Sequence, residues 1–307
     1  MTNLVASIKV LTYNHERFIK RCLDGLLEQK TNYSFEIVVG DDASVDNTRD
    51  ILLDYQSKYP DVIRLFLFKE RKGLLINDRR TVLKTKGKYQ LICDGDDYWI
   101  DPLKLQKQVD FMEASPGHSL VFSDVILVDE HDREIEPSPY FVERRSLYRE
   151  GDVFWYLWKK NFINTSAVCL RNDIYKNVLP ATENDLKKLW FVHDYWYMLQ
   201  LARKGKVGYM DEKMMAYRTH SENVTIKGNF LQKRLPMVFI DVARSLSKQE
   251  ADTREKREEI AKKMIWILLR KDLLVKMKMG AFGVLLRYFP SVPFILKNIK
   301  PGLFIRK

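Results

Sequence analysis

Cysteine is scarce in this chain. Three residues in 307 (Cys22, Cys93 and Cys169), far apart and odd in number, leave no disulfide framework. No two stand at metal-ligand spacing, which excludes a cysteine zinc site and fits a reducing compartment. Also missing is any uninterrupted apolar run of about 18 residues, the length an ordinary spanning helix needs. Met1 to Val10 has no basic segment ahead of a long apolar one, so no signal peptide is expected there. Repeats and low-complexity segments are absent. So is a glycine-rich phosphate loop near the start, where Leu11-Thr12-Tyr13-Asn14 stands instead; this weighs against a nucleotidyltransferase.

What is present is ordinary globular composition, 46% hydrophobic and 30% charged, with aromatics at 12%, suited to a protein that handles bases or sugars. The net charge of +11 is unevenly spread. Lys and Arg match Asp and Glu at 34 each over residues 1–229, and exceed them by 18 to 7 over residues 230–307. Within the tail, residues 260–307 hold 11 basic residues and one acid, Asp272. The chain therefore reads as a domain over 1–229 followed by a helical, basic, amphipathic region over 230–307.

Short β-rich runs alternate with amphipathic stretches in the first 130 residues. Strands are expected over Ala6 to Thr12, Phe35 to Gly40, Ile63 to Phe68 and Tyr89 to Cys93. Helices are expected over Glu16 to Glu28, from an Asp46 N-cap to Tyr59, and from Pro102 to about Ala114 with Leu103, Gln106, Val109 and Phe111 packing. Farther on, Leu120–Val128 and Ala167–Arg171 read as strands, Asp152–Lys159 and Asp194–Arg203 as helices, and Pro180 to Leu189 as a polar loop. After Asn229 the pattern is helical, broken by Pro290, Pro293 and Pro301. Such alternation predicts an α/β fold with a doubly wound, mostly parallel sheet, whose ligands bind beyond the carboxyl ends of the strands.

Three polar clusters, Thr12-Tyr13-Asn14, Asp41-Asp42-Ala43-Ser44 and Asp94-Gly95-Asp96-Asp97, each fall at such an end. Asp94-Gly95-Asp96-Asp97 sets three carboxylates on four residues after an apolar strand. Their mutual repulsion calls for a divalent cation, and hard oxygen donors favour Mg²⁺ or Mn²⁺ held jointly with phosphates. A solvated acidic turn capping the next helix is the plainer alternative. Asp41-Asp42-Ala43-Ser44 suits a base contact, with Tyr13 stacking on the ring, or else a capping turn. Asp194 is either an N-cap or a general base for a hydroxyl nucleophile. Tyr217-Arg218-Thr219-His220 offers Arg218 and His220 to a diphosphate or its metal.

Together with Gly73 and Asn77 and the run Lys86-Gly87-Lys88-Tyr89, these residues resemble the family 2 glycosyltransferases of the glycosyltransferase A fold. The likeness runs from about Ser7 to Thr225. Asp97-Tyr98-Trp99 and the Lys104-to-Phe111 helix are similar to bacterial enzymes that build surface polysaccharide. The resemblance implies that Tyr13 and Asp42 hold the base beside the Thr12 backbone. It makes Asp94 and Asp96 the acids of the D-x-D motif, one near the ribose and one on the metal, with Asp97 sharing the metal. It makes Asp194 the base, brings His220 to the metal or diphosphate, and leaves Arg218 and Asn77 as donor contacts. An inverting transfer follows, from a nucleotide-diphosphate sugar, UDP-sugar first, to a saccharide or lipid-linked acceptor. The chain departs from the pattern at Leu11, often proline; at Ala43, usually glycine; at His193, often acidic; and at Asp78-Arg79-Arg80, near a common Arg-Asn pair.

Residues 262–289 mix bulky apolar side chains with Lys and Arg, the pattern of a helix lying on an anionic membrane surface; a packed helical hairpin is the alternative. A cytoplasmic protein peripheral to the inner membrane face is expected, with no nucleic-acid partner. A non-catalytic nucleotide-sugar-binding module of the same fold is disfavoured because Asp94, Asp96 and Asp194 are all kept. Residues choosing the sugar are expected on loops such as Asn164-Thr165-Ser166.

Overall fold

The computed structural model describes residues 4–183, 193–221, 239–240, 242–244, 246, 251, 253–269 and 275–288. The chain divides into two compact units, Met1–Lys187 with His193–Asn223, and Lys188–Val192 with Val224–Lys307. The expected boundary after residue 229 falls outside the described residues.

The first unit is built on an eight-stranded sheet. Its strands are β1 (Ala6–Thr12), β2 (Phe35–Asp41), β3 (Ile63–Leu67), β4 (Tyr89–Asp94), β5 (Tyr98–Trp99), β6 (His118–Val128), β7 (Val168–Arg171) and β8 (Lys206–Arg218). They lie in the order β3-β2-β1-β4-β7-β6-β8-β5. The run β3-β2-β1-β4 is parallel, as is β6 with β8; β7 runs against β4 and β6, and β5 against β8. This is the mostly parallel α/β sheet the alternation predicts. Chain order reverses between β1 and β4, and such a switch point opens a crevice at the strands' carboxyl ends.

Alternation along the strands decides which helix covers which face. Ile8, Val10, Ile37, Val39, Leu91 and Cys93 form one core with Ile19, Cys22, Leu23 and Leu26 of α1 (Ile19–Leu27) and Leu105, Val109 and Met112 of α4 (Lys104–Ala114). Each fully buried Leu or Ile contributes roughly 1.5–3 kcal/mol. The opposite face is more polar: Ser7 donates to Glu36 at 2.7 Å, and Lys9 pairs with Asp78 of α3 (Leu74–Val82). Gly40 lets α3 approach, for a Cβ there would meet the Thr81 hydroxyl at 1.9 Å.

The remaining helices of this unit are α2 (Thr48–Lys58), α5 (Pro139–Arg145), α6 (Phe154–Lys159), α7 (Asn172–Val178) and α8 (His193–Lys204). Boundaries shift where side chains claim the backbone. Helix α1 starts at Ile19 because Glu16 binds Asn47, and the Phe18 and Ile19 amides donate to the His15 carbonyl. Asn47, not Asp46, holds the N-cap place of α2, while Asp46 accepts from Thr48 and Glu16. In α4 the packed face is Leu105, Gln108, Val109 and Met112; Leu103 is exposed and Lys104 is buried in its stead. Most of the expected loop beyond Pro180, from 184 to 189, lies outside the described residues.

In the second unit, α9 (Arg254–Leu269) and α10 (Val275–Tyr288) pack against each other. Ile260, Met264 and Ile267 of α9 and Ala281, Val284 and Leu285 of α10 are buried, whereas Trp266 and Met279 are exposed. Among the described residues no helix is long and apolar enough to cross a membrane. Pro290, Pro293 and Pro301 lie outside them.

Candidate active site

Strand register brings the polar clusters into one crevice. Thr12 faces Asp41 across β1 and β2, and Leu11 faces Asp94 across β1 and β4. The Asp42 amide donates to the Thr12 carbonyl at 3.1 Å, and the Asp42 carboxylate accepts the Lys72 and Gly73 amides, each at 2.8 Å. Asp42 thereby draws in the segment after β3, whose Arg71 guanidinium lies 3.9 Å from the centre of the Tyr13 ring. Asp41 is fully buried and binds Arg49 at 2.6 Å and the Ser44 hydroxyl. Between them Ala43 takes a φ of 63°, a left-handed conformation that favours glycine.

The acids after β4 are held from two sides. Strand β5 pairs with the end of β8, Tyr98 opposite Ala216, and that pairing delivers Arg218 and His220 to the acidic turn. His220 Nε2 lies 3.0 Å from Asp96 Oδ2. The Arg218 amide donates to Asp97 at 2.9 Å. On the other side stands His15, whose buried Nδ1 has no hydrogen-bond partner. Gly95 permits this packing, since a Cβ would sit 2.8 Å from that Nδ1 and 3.0 Å from the Leu11 carbonyl.

Their protonation follows from crowding. Burial, and then the charge of Asp96, push Asp94 up to about 7. Burial with Asp96 and Asp94 raises Asp97 well above the carboxylate range. Burial pushes Asp96 up as well, but the His220 hydrogen bond and the charges of His15 and His220 outweigh it and leave it below its usual value. Burial lowers His15, against the pull of Asp96. Of the three acids, only Asp96 is held below the ordinary carboxylate value.

Asp194 occupies the first turn of α8, inside the helix rather than at its cap. The Thr165 hydroxyl lies 3.4 Å from Asp194 Oδ2, and the neighbouring Ser166 hydroxyl donates to Asp94 Oδ2 at 3.2 Å. One short 3₁₀ turn, Thr165–Ala167, thus touches both acids. Tyr13, Asp42, Asp94, Asp96, Asp194 and His220 all belong to the first unit.

Three expected contacts have other partners. Asn77 is buried in α3, donating to the Gly40 carbonyl at 2.9 Å, so it docks helix on strand. Arg218 is buried, with Nε on the Asp96 carbonyl at 2.7 Å and its terminal nitrogens on the Asp129 carbonyl and Asp132. Asp97, also buried, holds the end of β8 through the Arg218 amide. His15 and Arg71 are the additions, while Ser166, on the loop expected to choose the sugar, reaches Asp94. Only His15, directly after Thr12-Tyr13-Asn14, carried a legible signal: a titratable ring beside a cluster at a strand end.

Among the described residues no group of three His, Cys, Asp or Glu side chains forms a ready metal cage. Mg²⁺ and Mn²⁺ sites of nucleotide enzymes commonly take one or two carboxylates, with phosphates completing the shell. Asp96 and His220, already converging, with the unpartnered His15 Nδ1 nearby, fit that smaller demand.

An open α/β sheet with buried acids and an aromatic ring beyond its carboxyl ends has the architecture of a ligand-binding α/β protein. The chain belongs to glycosyl transferase family 2, whose profile matches residues 7–179. An uncharacterized protein of Mycobacterium tuberculosis is 32% identical over 71% of this chain and 60% of its own length. The chain thus spans less than two thirds of the first curated relatives it matches. Staphylococcus aureus TarS, crystallised with UDP, superimposes with a TM-score of 0.61 at 17% identity, covering 97% of this chain and 86% of that one. A mannosyltransferase of Pyrobaculum calidifontis in complex with GDP-Man and Mn²⁺ gives 0.59 at 16% identity, covering 95% and 83%.

Proposed function

We propose that the chain is an inverting, metal-dependent glycosyltransferase. Its donor is a nucleotide-diphosphate sugar, a UDP-sugar first, and its acceptor a hydroxyl on a saccharide or lipid-linked glycan in bacterial surface-polysaccharide synthesis. The observation that carries this reading is the convergence of Asp94 and Asp96, Asp194, and His220, from three separate segments, on one crevice. The UDP in TarS and the GDP-Man with Mn²⁺ in the mannosyltransferase support a nucleotide-sugar donor and a divalent ion.

In this reading the Tyr13 ring and Asp42 hold the base beside the Thr12 backbone, and Arg71 closes on Tyr13 from the far side. Asp94 meets the ribose. Asp96 and His220 hold the cation, which supplies neutralisation of the charge developing on the leaving diphosphate. Asp194, half-buried and steadied by Thr165, takes the acceptor proton as the hydroxyl attacks the anomeric carbon. A single displacement inverts that carbon. Asn77, Arg218 and Asp97 shape the pocket from behind.

The test is hydrolysis and thermal stabilisation across UDP-, GDP- and dTDP-sugars, with Mn²⁺ and with EDTA. One donor should be hydrolysed slowly and should raise Tm only with metal. No hydrolysis and no stabilisation by any donor would overturn the reading.

The basic segment 260–307 is assigned to an anionic membrane surface. Trp266 and Met279, exposed on basic helices, support this, although the buried faces of α9 and α10 leave it mainly electrostatic. Sedimentation with anionic liposomes should then be largely reversed by salt.

A further inference from the structure

The turn Thr165–Ala167 has a construction that the donor and acceptor roles do not explain. Its two hydroxyls come from consecutive residues yet reach acids on different elements, Ser166 to Asp94 at the end of β4 and Thr165 to Asp194 on α8. The turn is fixed at its start, where the Asn164 side chain accepts the Ser166 amide at 3.1 Å. It is also fixed from behind, where the Ala167 carbonyl accepts Gln108 Nε2 at 2.9 Å and Lys104 Nζ at 3.3 Å. Lys104 also donates to Gln108 at 2.6 Å. Both braces are fully buried in α4, and so are Ser166 and Ala167. A surface loop free to choose among sugars would not be anchored in this way.

We propose that this turn is a spacer that sets the distance between the donor-side acid Asp94 and the base Asp194, with Ser166 and Thr165 as positioning residues and Gln108 and Lys104 as its brace. The inference rests on the reading of the site given above. In-line displacement needs the base and the donor within a few tenths of an ångström of one geometry, and small misplacements lower turnover steeply. Two hydroxyls on one rigid turn meet that need better than two independent loops. Both bonds are long for O–H···O⁻, as catalytic hydrogen bonds commonly are before substrate arrives.

The test is steady-state kinetics of the full chain with the nucleotide sugar that wild type hydrolyses in Mn²⁺. A hydrogen bond to a charged group contributes roughly 1.5–3 kcal/mol, or about 10- to 100-fold. Ser166→Ala should raise the donor KM by about tenfold or more. Thr165→Val should leave the donor KM within about twofold and lower kcat by about tenfold or more. Ser166→Thr and Thr165→Ser should restore most of each loss. Gln108→Leu, which touches neither acid, should show both effects in weaker form. If the two hydroxyl variants lower only Tm, with kcat and KM unchanged, or if they share one kinetic effect, the spacer role is overturned. If wild type hydrolyses no nucleotide sugar, the glycosyltransferase reading fails first and this inference falls with it.

Discussion

The two ends of β1, β2 and β4 carry similar residues and treat them differently. At the amino ends, Glu36 accepts the Ser7 hydroxyl and the Lys86 amide and pairs with Arg64, while Asn172 donates to Gly87 at 2.7 Å. Acids there are matched by cations and amides, and their work is finished on folding. At the carboxyl ends, Asp94, Asp96 and Asp97 crowd within four residues, and the Thr12 hydroxyl and His15 Nδ1 are buried without partners. Buried atoms without partners occur at the amino end too, Tyr89 Oη and Gln90 Nε2 of β4. What sets the carboxyl end apart is the crowding of acids unmatched by cations, and perturbed acids of this kind cluster where ligands bind.

The comparison breaks first at Asp194. General-base assistance contributes roughly 10²–10⁴-fold, so Asp194→Asn should lower turnover by that order while donor affinity holds. Stopped or continuous assay of transfer, with separate donor titration, reads both numbers. Collapse of donor affinity with turnover at saturation intact would move Asp194 to the donor side.

Lys104 is a third case, a fully buried cation whose burial pushes it to about 7. Its Nζ bonds the neutral Gln108 side chain and the Ala167 carbonyl. Its folded value lies below the ordinary lysine value. Between about 7 and 10.4 the unfolded chain therefore holds the extra proton, and stability rises with pH. Lys104→Met removes that dependence. The stability of wild type relative to the variant should fall by up to a few kcal/mol as pH drops from about 10 to 7, then level off. A flat difference in denaturation midpoints over that range would contradict it.

At the amino end the same kind of change should touch stability alone. Glu36→Ala removes the acceptor of the Ser7 hydroxyl and the partner of Arg64, and should cost about 1–3 kcal/mol with kcat of the folded enzyme unchanged. A drop in kcat at full folding would mean that the two ends are coupled. Smallest is Ala43→Gly. Relief of a left-handed alanine, about 1 kcal/mol, is partly offset by the entropy of an added glycine. Tm should rise by no more than a few degrees, and a fall would show that the alanine methyl packs usefully.

How far the sequence carried the structure follows the same physical division. Period-two and helical patterns located all four parallel strands of the first half, because burial imposes them residue by residue. Strand ends placed Thr12, Asp42 and Asp94 together, since register follows from parallel pairing. Helix starts were harder. Whether Glu16 or Ile19 opens α1 depends on Glu16 reaching Asn47 of another segment, which local pattern does not encode. Arg218 suits a phosphate by its type, and Asn77 is a donor contact only through the resemblance. In the structure Asn77 donates to Gly40 and Arg218 binds Asp129 and Asp132, tertiary contacts that local pattern does not encode. Ser166 is expected on a sugar-choosing loop, but its bond to Asp94 is not legible, because a serine gains its partner only from what folds beside it.

The central claim is that the acids at the carboxyl end are completed by a cation and a nucleotide diphosphate. It is tested most directly by calorimetric titration of wild type and Asp96→Asn with the diphosphate of the preferred donor, in Mn²⁺ and in EDTA. Wild type should bind in Mn²⁺ and weaken by about tenfold or more in EDTA, and Asp96→Asn in Mn²⁺ should resemble wild type in EDTA. Equal affinity in all four titrations would contradict the account.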